Sequence, residues 1–291
     1  MRGELVRFEA EDGLELVGFY AAPEGGGERA VLHTHGLAGN FYENRFVSAV
    51  ASAVVEKGLA FLTCNNRGHD YRSDNLQGEG VSTEVRLGGS SFDIFDESVL
   101  DIGGGAAFLE ARGHAEIYFE GHSLGANKVA HYLAERRDPR AAGAVLISPP
   151  DMFGLREESL GGAIDEVVAH ARDLVERHRG QELLETGYVV PFSARTIVGL
   201  YGDPGKTDIF PFRHGHAGDY SVLDSLELPI LATFGTVEEA VTISPSEAAA
   251  LMRRESSRAR RIDVQVIEGA NHAYFGFEET LADAIASFVA A

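Results

Sequence analysis

The stretch Tyr118-Phe119-Glu120-Gly121-His122-Ser123-Leu124-Gly125-Ala126-Asn127-Lys128-Val129 changes its periodicity halfway along, and that change decides the fold. Tyr118 and Phe119 read as the end of a buried strand, whereas Ala126, Val129, Ala130 and Leu133 recur at helical spacing. Ser123 therefore stands at a strand-to-helix junction. Gly121 and Gly125 complete the pattern G-x-S-x-G, and glycines at those positions let neighbouring backbone approach a tight turn closely. A side chain held there projects above the sheet. With 34 glycines in 291 residues such a pattern also arises by chance, so its surroundings must decide its meaning.

On both sides of this junction strand-like and helix-like segments alternate, which points to an α/β fold with a mostly parallel, doubly wound sheet. Leu5 to Glu9 and Leu14 to Tyr20 flank an Asp12-Gly13 turn and read as a hairpin. A strand over Ala30 to Thr34, a helix from about Tyr42 to Lys57 and a strand over Ala60 to Asn65 follow. Residues Asn66 to Ser91 read as a polar loop, and a helix from about Phe92 to Arg112 carries the triplet Gly103-Gly104-Gly105, for which close packing on the sheet is the favoured account. The strand Glu116 to Glu120 feeds Ser123, and Gly143 to Ser148 is stopped by Pro149-Pro150. From 151 to 226 strand alternation ceases, and Ile164, Val167, Val168, Ala171, Leu174 and Val175 trace one helical face. Residues 1–150 and 227–291 are thus expected to form one core, with 151–226 inserted as a helical cap. Pro229 to Phe234 and Ile262 to Ile267 resume the sheet around a helix from about Pro245 to Glu255, and a helix from about Phe277 to Ala290 closes the chain.

The formal charge of −20 repels nucleic acid and anionic membranes. No apolar run approaches the roughly 20 residues needed to span a bilayer, and the start lacks a secretory pattern, so a cytoplasmic location is expected. Cys64 is the single cysteine and reads as core filling at a strand end.

In a sheet of this kind reactive groups gather at the carboxyl ends of the strands. After the third strand, His35-Gly36-Leu37-Ala38-Gly39-Asn40 can aim the Leu37 amide at the space above Ser123, and the Leu124 amide points the same way. Two such donors would stabilise a developing oxyanion. A serine hydroxyl needs a base to take its proton, and His272, in the loop after the last strand, is placed to do so. The carboxylate that orients it is expected in Gly235-Thr236-Val237-Glu238-Glu239-Ala240. Glu238 is the first choice, Glu239 the close competitor, and Asp151 a third candidate after the preceding strand. The pairs His33 with His35 and His214 with His216 raise the question of a metal, but zinc needs three or four converging ligands and no third is assigned, so neither metal nor cofactor is expected. Arg67, His69 and Asp70 read as ordering the loop near the pocket rim, and His122 as structural packing.

With these residues in place the chain resembles an α/β-hydrolase along nearly its whole length, through His35-Gly36, Gly121 to Gly125, Gly235 with Glu238, and Asn271-His272. The segments His35 to Glu43 and Asn65 to Asp70 are similar to those of a poorly characterised branch that includes fungal siderophore esterases. Glutamate stands where that superfamily more often has aspartate. The resemblance implies a serine hydrolase acting on a carboxylic ester through Ser123, His272 and Glu238, with the same apparatus open to acyl transfer, thioester cleavage or cyclisation in a biosynthetic pathway. A ligand-binding protein without turnover is the reading from another class, and the intact serine, histidine and acid argue against it. Phe153, Tyr188, Phe192, Tyr201, Phe210, Phe212 and Tyr220 give the cap an aromatic character that suits a moderately bulky, partly apolar small-molecule ester, though each singly reads as cap core. The pattern is silent on oligomeric state.

Overall fold

In the computed structural model, which describes residues 2–78, 80–161, 163–186, 190–202 and 204–291, Tyr118 and Phe119 are core residues on opposite faces of one strand. That strand belongs to a sheet of eight. In chain order the elements are β1 (Glu4–Glu9), β2 (Glu15–Ala21), β3 (Arg29–Thr34), α1 (Arg45–Glu56), β4 (Ala60–Cys64), β5 (Ser73–Gln77), β6 (Glu84–Gly88), α2 (Ser98–Ala111), β7 (Glu116–His122), α3 (Leu124–Arg136) and β8 (Ala141–Ile147). A helical insertion follows, with α4 (Met152–Leu160), α5 (Ala163–Glu176), β9 (Leu183–Leu184), β10 (Phe192–Ser193), α6 (Ala194–Tyr201), α7 (Pro204–Thr207) and α8 (Ser221–Asp224). The chain then returns through β11 (Pro229–Val237), α9 (Pro245–Glu255), β12 (Arg261–Asn271) and α10 (Glu278–Ala290). Among the described residues no helix is long and apolar enough to cross a membrane.

The strand order β1-β2-β4-β3-β7-β8-β11-β12 makes six neighbouring strands parallel, with β2 antiparallel to both β1 and β4. Because both faces are covered, the central strands are buried on both sides and mostly apolar rather than alternating with exposed polar residues. Leu32, Leu62, Phe119, Leu146 and Ala232 face the side packed by α2, α3 and the insertion. Val31, Phe61, Tyr118, Val145 and Leu231 face α1 and α10. From β3 the chain crosses to β4 on one side and later to β7 on the other. The carboxyl ends of β3 and β7 therefore form the switch point, the place at which open α/β sheets bind their ligands.

Two expectations of local structure change. The polar loop after β4 contains the hairpin β5–β6, paired in register from Ser73↔Gly88 to Gln77↔Glu84. Its outer face places Asp74, Leu76, Val85 and Leu87 in solvent, so it lacks the one-sided apolar pattern that announces a strand. The next helix begins at Ser98, after a single tight turn over Phe95–Glu97.

The glycine triplet in α2 has a physical account. A Cβ on Gly104 would lie 2.3 Å from the Glu9 carbonyl oxygen and 2.7 Å from Ala10 Cα, and one on Gly105 would lie 3.0 Å from a Leu32 methyl. Helix and sheet thus meet backbone to backbone. At Gly103 the nearest atom is instead the end of the Glu11 side chain. We expect Gly104→Ala to lower stability in urea unfolding by about 1–3 kcal/mol, since backbone must shift. Gly103→Ala should be close to neutral, because helix propensity favours alanine by about 1 kcal/mol and Glu11 can swing aside.

Candidate active site

Ser123 has φ 55° and ψ −131°, a sparsely populated combination for a residue with a side chain. The turn survives because its surroundings hold it. Its N–H donates to the Ile147 carbonyl (2.9 Å), and its carbonyl accepts from the Ala126 N–H (2.8 Å). The flanking glycines are steric requirements: a Cβ on Gly121 would lie 2.2 Å from the Gly125 oxygen, and one on Gly125 would lie 2.2 Å from the Thr34 oxygen.

The segment after β3 lies against this turn. A Cβ on Gly36 would approach the Ser123 Cβ to 2.8 Å and its Oγ to 3.3 Å. Leu37 is the next residue, and Leu124 is the first of α3, so both expected amides belong to backbone that borders Ser123. His35 shapes this segment from within the core. Its Nε2 accepts from the Asn66 N–H (3.1 Å), which places its proton on Nδ1 for donation to the Gly36 carbonyl (2.9 Å). Burial holds this imidazole well below its ordinary pKa, so it stays neutral. The Gly39 carbonyl accepts from the Asp70 N–H (3.1 Å), and Asn40 donates to the Asp70 carboxylate (3.0 Å). Arg67 is a buried hub, bonded to Asp101 (2.8 Å), Glu97 (2.8 Å) and Asp12 (3.0 Å). With its charge matched by three carboxylates, Arg67 orders the loop.

His272 follows β12 directly and donates from Nδ1 to Glu239 Oε1 (2.8 Å), which leaves Nε2 free of a proton in the neutral ring. The Glu239 side chain is 2% exposed against 27% for His272, and its second oxygen accepts from the Gly235 N–H (3.1 Å). The carboxylate is therefore fixed at both oxygens.

This pairing corrects the choice of Glu238. The strand β11 continues to Val237, three residues beyond its expected end. Glu238 then turns through φ 50° and is exposed, while Glu239 folds back over the strand end. Opposite them β12 bulges: Gly235 faces Ile267 but Val237 faces Asn271. Counting from a strand end could not reveal this shift. Asp151 is also occupied elsewhere. Fully buried at the start of α4, it accepts from the Gly154 N–H (2.9 Å), the Arg213 N–H (2.7 Å), Arg213 Nη1 (2.7 Å) and Thr242 Oγ1 (3.3 Å).

Two anchors of the His272 loop carried no sequence signal of that role. Tyr274, buried at φ 55°, places its hydroxyl 3.0 Å from Ser148 Oγ and 2.9 Å from Thr233 Oγ1, bonding the loop to the residue after β8 and to the middle of β11. Burial raises its phenol pKa, so it remains protonated. His122 Nε2 donates to the His272 carbonyl (2.8 Å), and the two rings stand 4.9 Å apart.

The remaining histidine pairs separate. His33 bonds Glu120 (2.6 Å) inside the core, while His35 bonds backbone. His216 bonds Glu255 (2.9 Å) on the surface. Cys64 is buried, which raises its thiol pKa and leaves it protonated and unreactive. Phe153, Phe192, Tyr201, Phe210, Phe212 and Tyr220 are all buried in the core that the insertion shares with one face of the sheet, and Tyr188 lies outside the described residues. Phe153 and Tyr201 also wall a cavity of about 880 Å³ with Arg156, Ile164, Val168 and Arg213; Ser123, His272 and Glu239 do not line it.

A family model for the alpha/beta hydrolase fold matches residues 29–170. No curated protein matches the chain. Solved structures are similar over almost their full length. Est1E from Butyrivibrio proteoclasticus, with ferulic acid bound, is 18% identical at a TM-score of 0.63, covering 97% of this chain and 96% of that one. A highly thermostable carboxyl esterase from Bacillus coagulans, in complex with glycerol, is 13% identical at 0.71, covering 99% and 98%. An esterase from Pyrococcus furiosus is 15% identical at 0.63, covering 99% and 90%. At these identities the likeness speaks for the fold alone.

Replacing Glu239 with glutamine should cut kcat/KM on p-nitrophenyl acetate by about 10³-fold or more, because the amide no longer fixes the His272 tautomer. Glu238→Gln should stay within about twofold of wild type. A steady-state comparison of the two variants decides which glutamate serves His272.

Proposed function

The chain has the α/β-hydrolase fold, and from that premise we propose that it is a serine hydrolase cleaving a small-molecule carboxylic ester. The observation that carries this reading is the carboxylate-bound imidazole of His272, held beside the strained turn of Ser123. Ser123 Oγ attacks the ester carbonyl while His272 Nε2 takes its proton. The Leu37 and Leu124 amides receive the oxyanion of the tetrahedral intermediate. His272 returns the proton to the leaving alcohol, and Glu239 stabilises the imidazolium between these steps. Water then repeats the sequence on the acyl-enzyme. No step calls for a metal or a cofactor.

Residues 151–226 act in this reading as the cap over the core formed by the rest of the chain, and contribute the walls that select the substrate. The likeness to the branch with fungal siderophore esterases rests on residues 35–43 and 65–70. These two segments bond each other beside Ser123, at Gly39 with Asp70, Asn40 with Asp70 and His35 with Asn66. Their shared service is to hold the oxyanion-binding turn.

Incubation with a fluorophosphonate should add one probe mass to the wild-type protein and none to Ser123→Ala. The same substitution should lower turnover of p-nitrophenyl acetate by at least about 10³-fold. A folded wild type that stays unlabelled in intact-mass spectra would sink the serine mechanism.

A further inference from the structure

We infer that His122 is a positioning residue, whose Nε2–H holds the His272 backbone at a fixed place relative to the Ser123 turn. The inference deepens the reading of Ser123 and His272 given above and rests on it. His122 is the last residue of β7 and is joined covalently to Ser123. Its bond of 2.8 Å to the His272 carbonyl therefore connects nucleophile and base through a single side chain.

The surroundings fix that side chain. His122 is 5% exposed, and its ring meets Phe46 of α1 edge-on at 5.0 Å and His272 at 4.9 Å. Donation to a carbonyl puts the proton on Nε2. Burial, and after it the neighbouring His272, hold the ring well below its ordinary pKa, with His33 and His35 acting in the same direction. A neutral His122 suits the reaction, because His272 must carry a positive charge in the intermediate and a second charge 4.9 Å away would oppose it.

The other fastenings of this loop reach different parts of the fold. Tyr274 bonds β8 and β11, Glu239 sits at the end of β11, and Arg45 of α1 lies 5.8 Å from the centre of the Phe275 ring. These fix the loop to the sheet and helix layer. His122 alone among these contacts ties it to the residue next to Ser123.

Packing and tethering are separated by two substitutions. His122→Phe keeps a ring against Phe46 but has no donor. In His122→Gln the side-chain N–H stands the same number of bonds from the backbone as Nε2 does, so the donor is restored without the ring. With p-nitrophenyl acetate, His122→Phe should lower kcat by about 10- to 100-fold with KM within about twofold, as loss of a group orienting a catalytic one does. His122→Gln should recover kcat to within about threefold of wild type. Amide hydrogen exchange of the peptide 268–277 should quicken by about tenfold or more in the phenylalanine variant and match wild type in the glutamine one. Equal loss in both variants, or a phenylalanine variant with unchanged kcat and exchange, would overturn the tether. Should His122→Phe not fold, His122→Asn, whose amide is one bond too short, takes its place with the same expectations. A wild type that neither turns over ester nor takes the fluorophosphonate removes the reading of Ser123 itself. The exchange measurement then decides separately whether His122 holds the loop.

Discussion

Three backbones meet at Ser123 with no space between them, and the rest of the molecule is arranged to permit it. The end of β3 touches Gly125, the turn touches Gly36, and Gly121 touches the first turn of α3. Any Cβ at these three glycines would overlap main-chain atoms or Ser123 itself. A left-handed serine costs on the order of 1–3 kcal/mol, which neighbouring elements must offset. They do so through the Ile147 carbonyl on one side and the helix start on the other. The same contact brings Leu37 and Leu124 beside one side chain, so the constraint that strains the turn also assembles its donors.

Much of this was legible because it lives in local pattern. Tyr118 and Phe119 before the turn and Ala126 and Val129 after it gave the strand and helix directly, since a buried parallel strand and an amphipathic helix have different periods. The breaks after β8 and before β11 were legible for the same reason. The hairpin β5–β6 was not, because its outer face is mixed and its inner face holds Asn75 and Arg86, which serve the Arg67 cluster rather than an apolar core. At the site, Ser123 and His272 followed from the order of elements. The carboxylate that bonds His272 did not, because its identity depends on a bulge in β12 and a left-handed residue just after β11, neither of which changes composition. His122 was legible as structural packing and Tyr274 carried no signal, and the bonds of both to backbone and hydroxyl partners are tertiary facts.

Charge is handled differently at the surface and in the interior. The net charge of −20 is spread over exposed carboxylates, while the buried ions are matched closely: Arg67 with Asp101, Lys128 with Asp93 at 2.6 Å, Arg213 with Asp151. Removing one partner of such a pair leaves the other uncompensated, so each acts as a lock on the segments it joins. Arg67 locks the loop after β4 to α2, and Asp151 locks the start of the insertion to its far part at Arg213.

The insertion leaves the sheet after β8 and re-enters at β11, and these strands are direct neighbours. Their pairing continues past the last strand residues, with the Ser148 N–H on the Thr233 carbonyl (2.8 Å) and the Asp151 N–H on the Ala240 carbonyl (3.1 Å). Because these strands are parallel, the two bonds fasten the start of the insertion to β11 and the loop after it, while its far end enters β11 at Pro229, at the opposite end of these strands. A crossover whose two ends are each fixed by one of two neighbouring strands can lengthen, shorten or be exchanged at little entropic cost, since closure depends only weakly on what lies between the ends. The fold has in effect a socket: one part of the chain can diversify while the serine, histidine and glutamate keep their places.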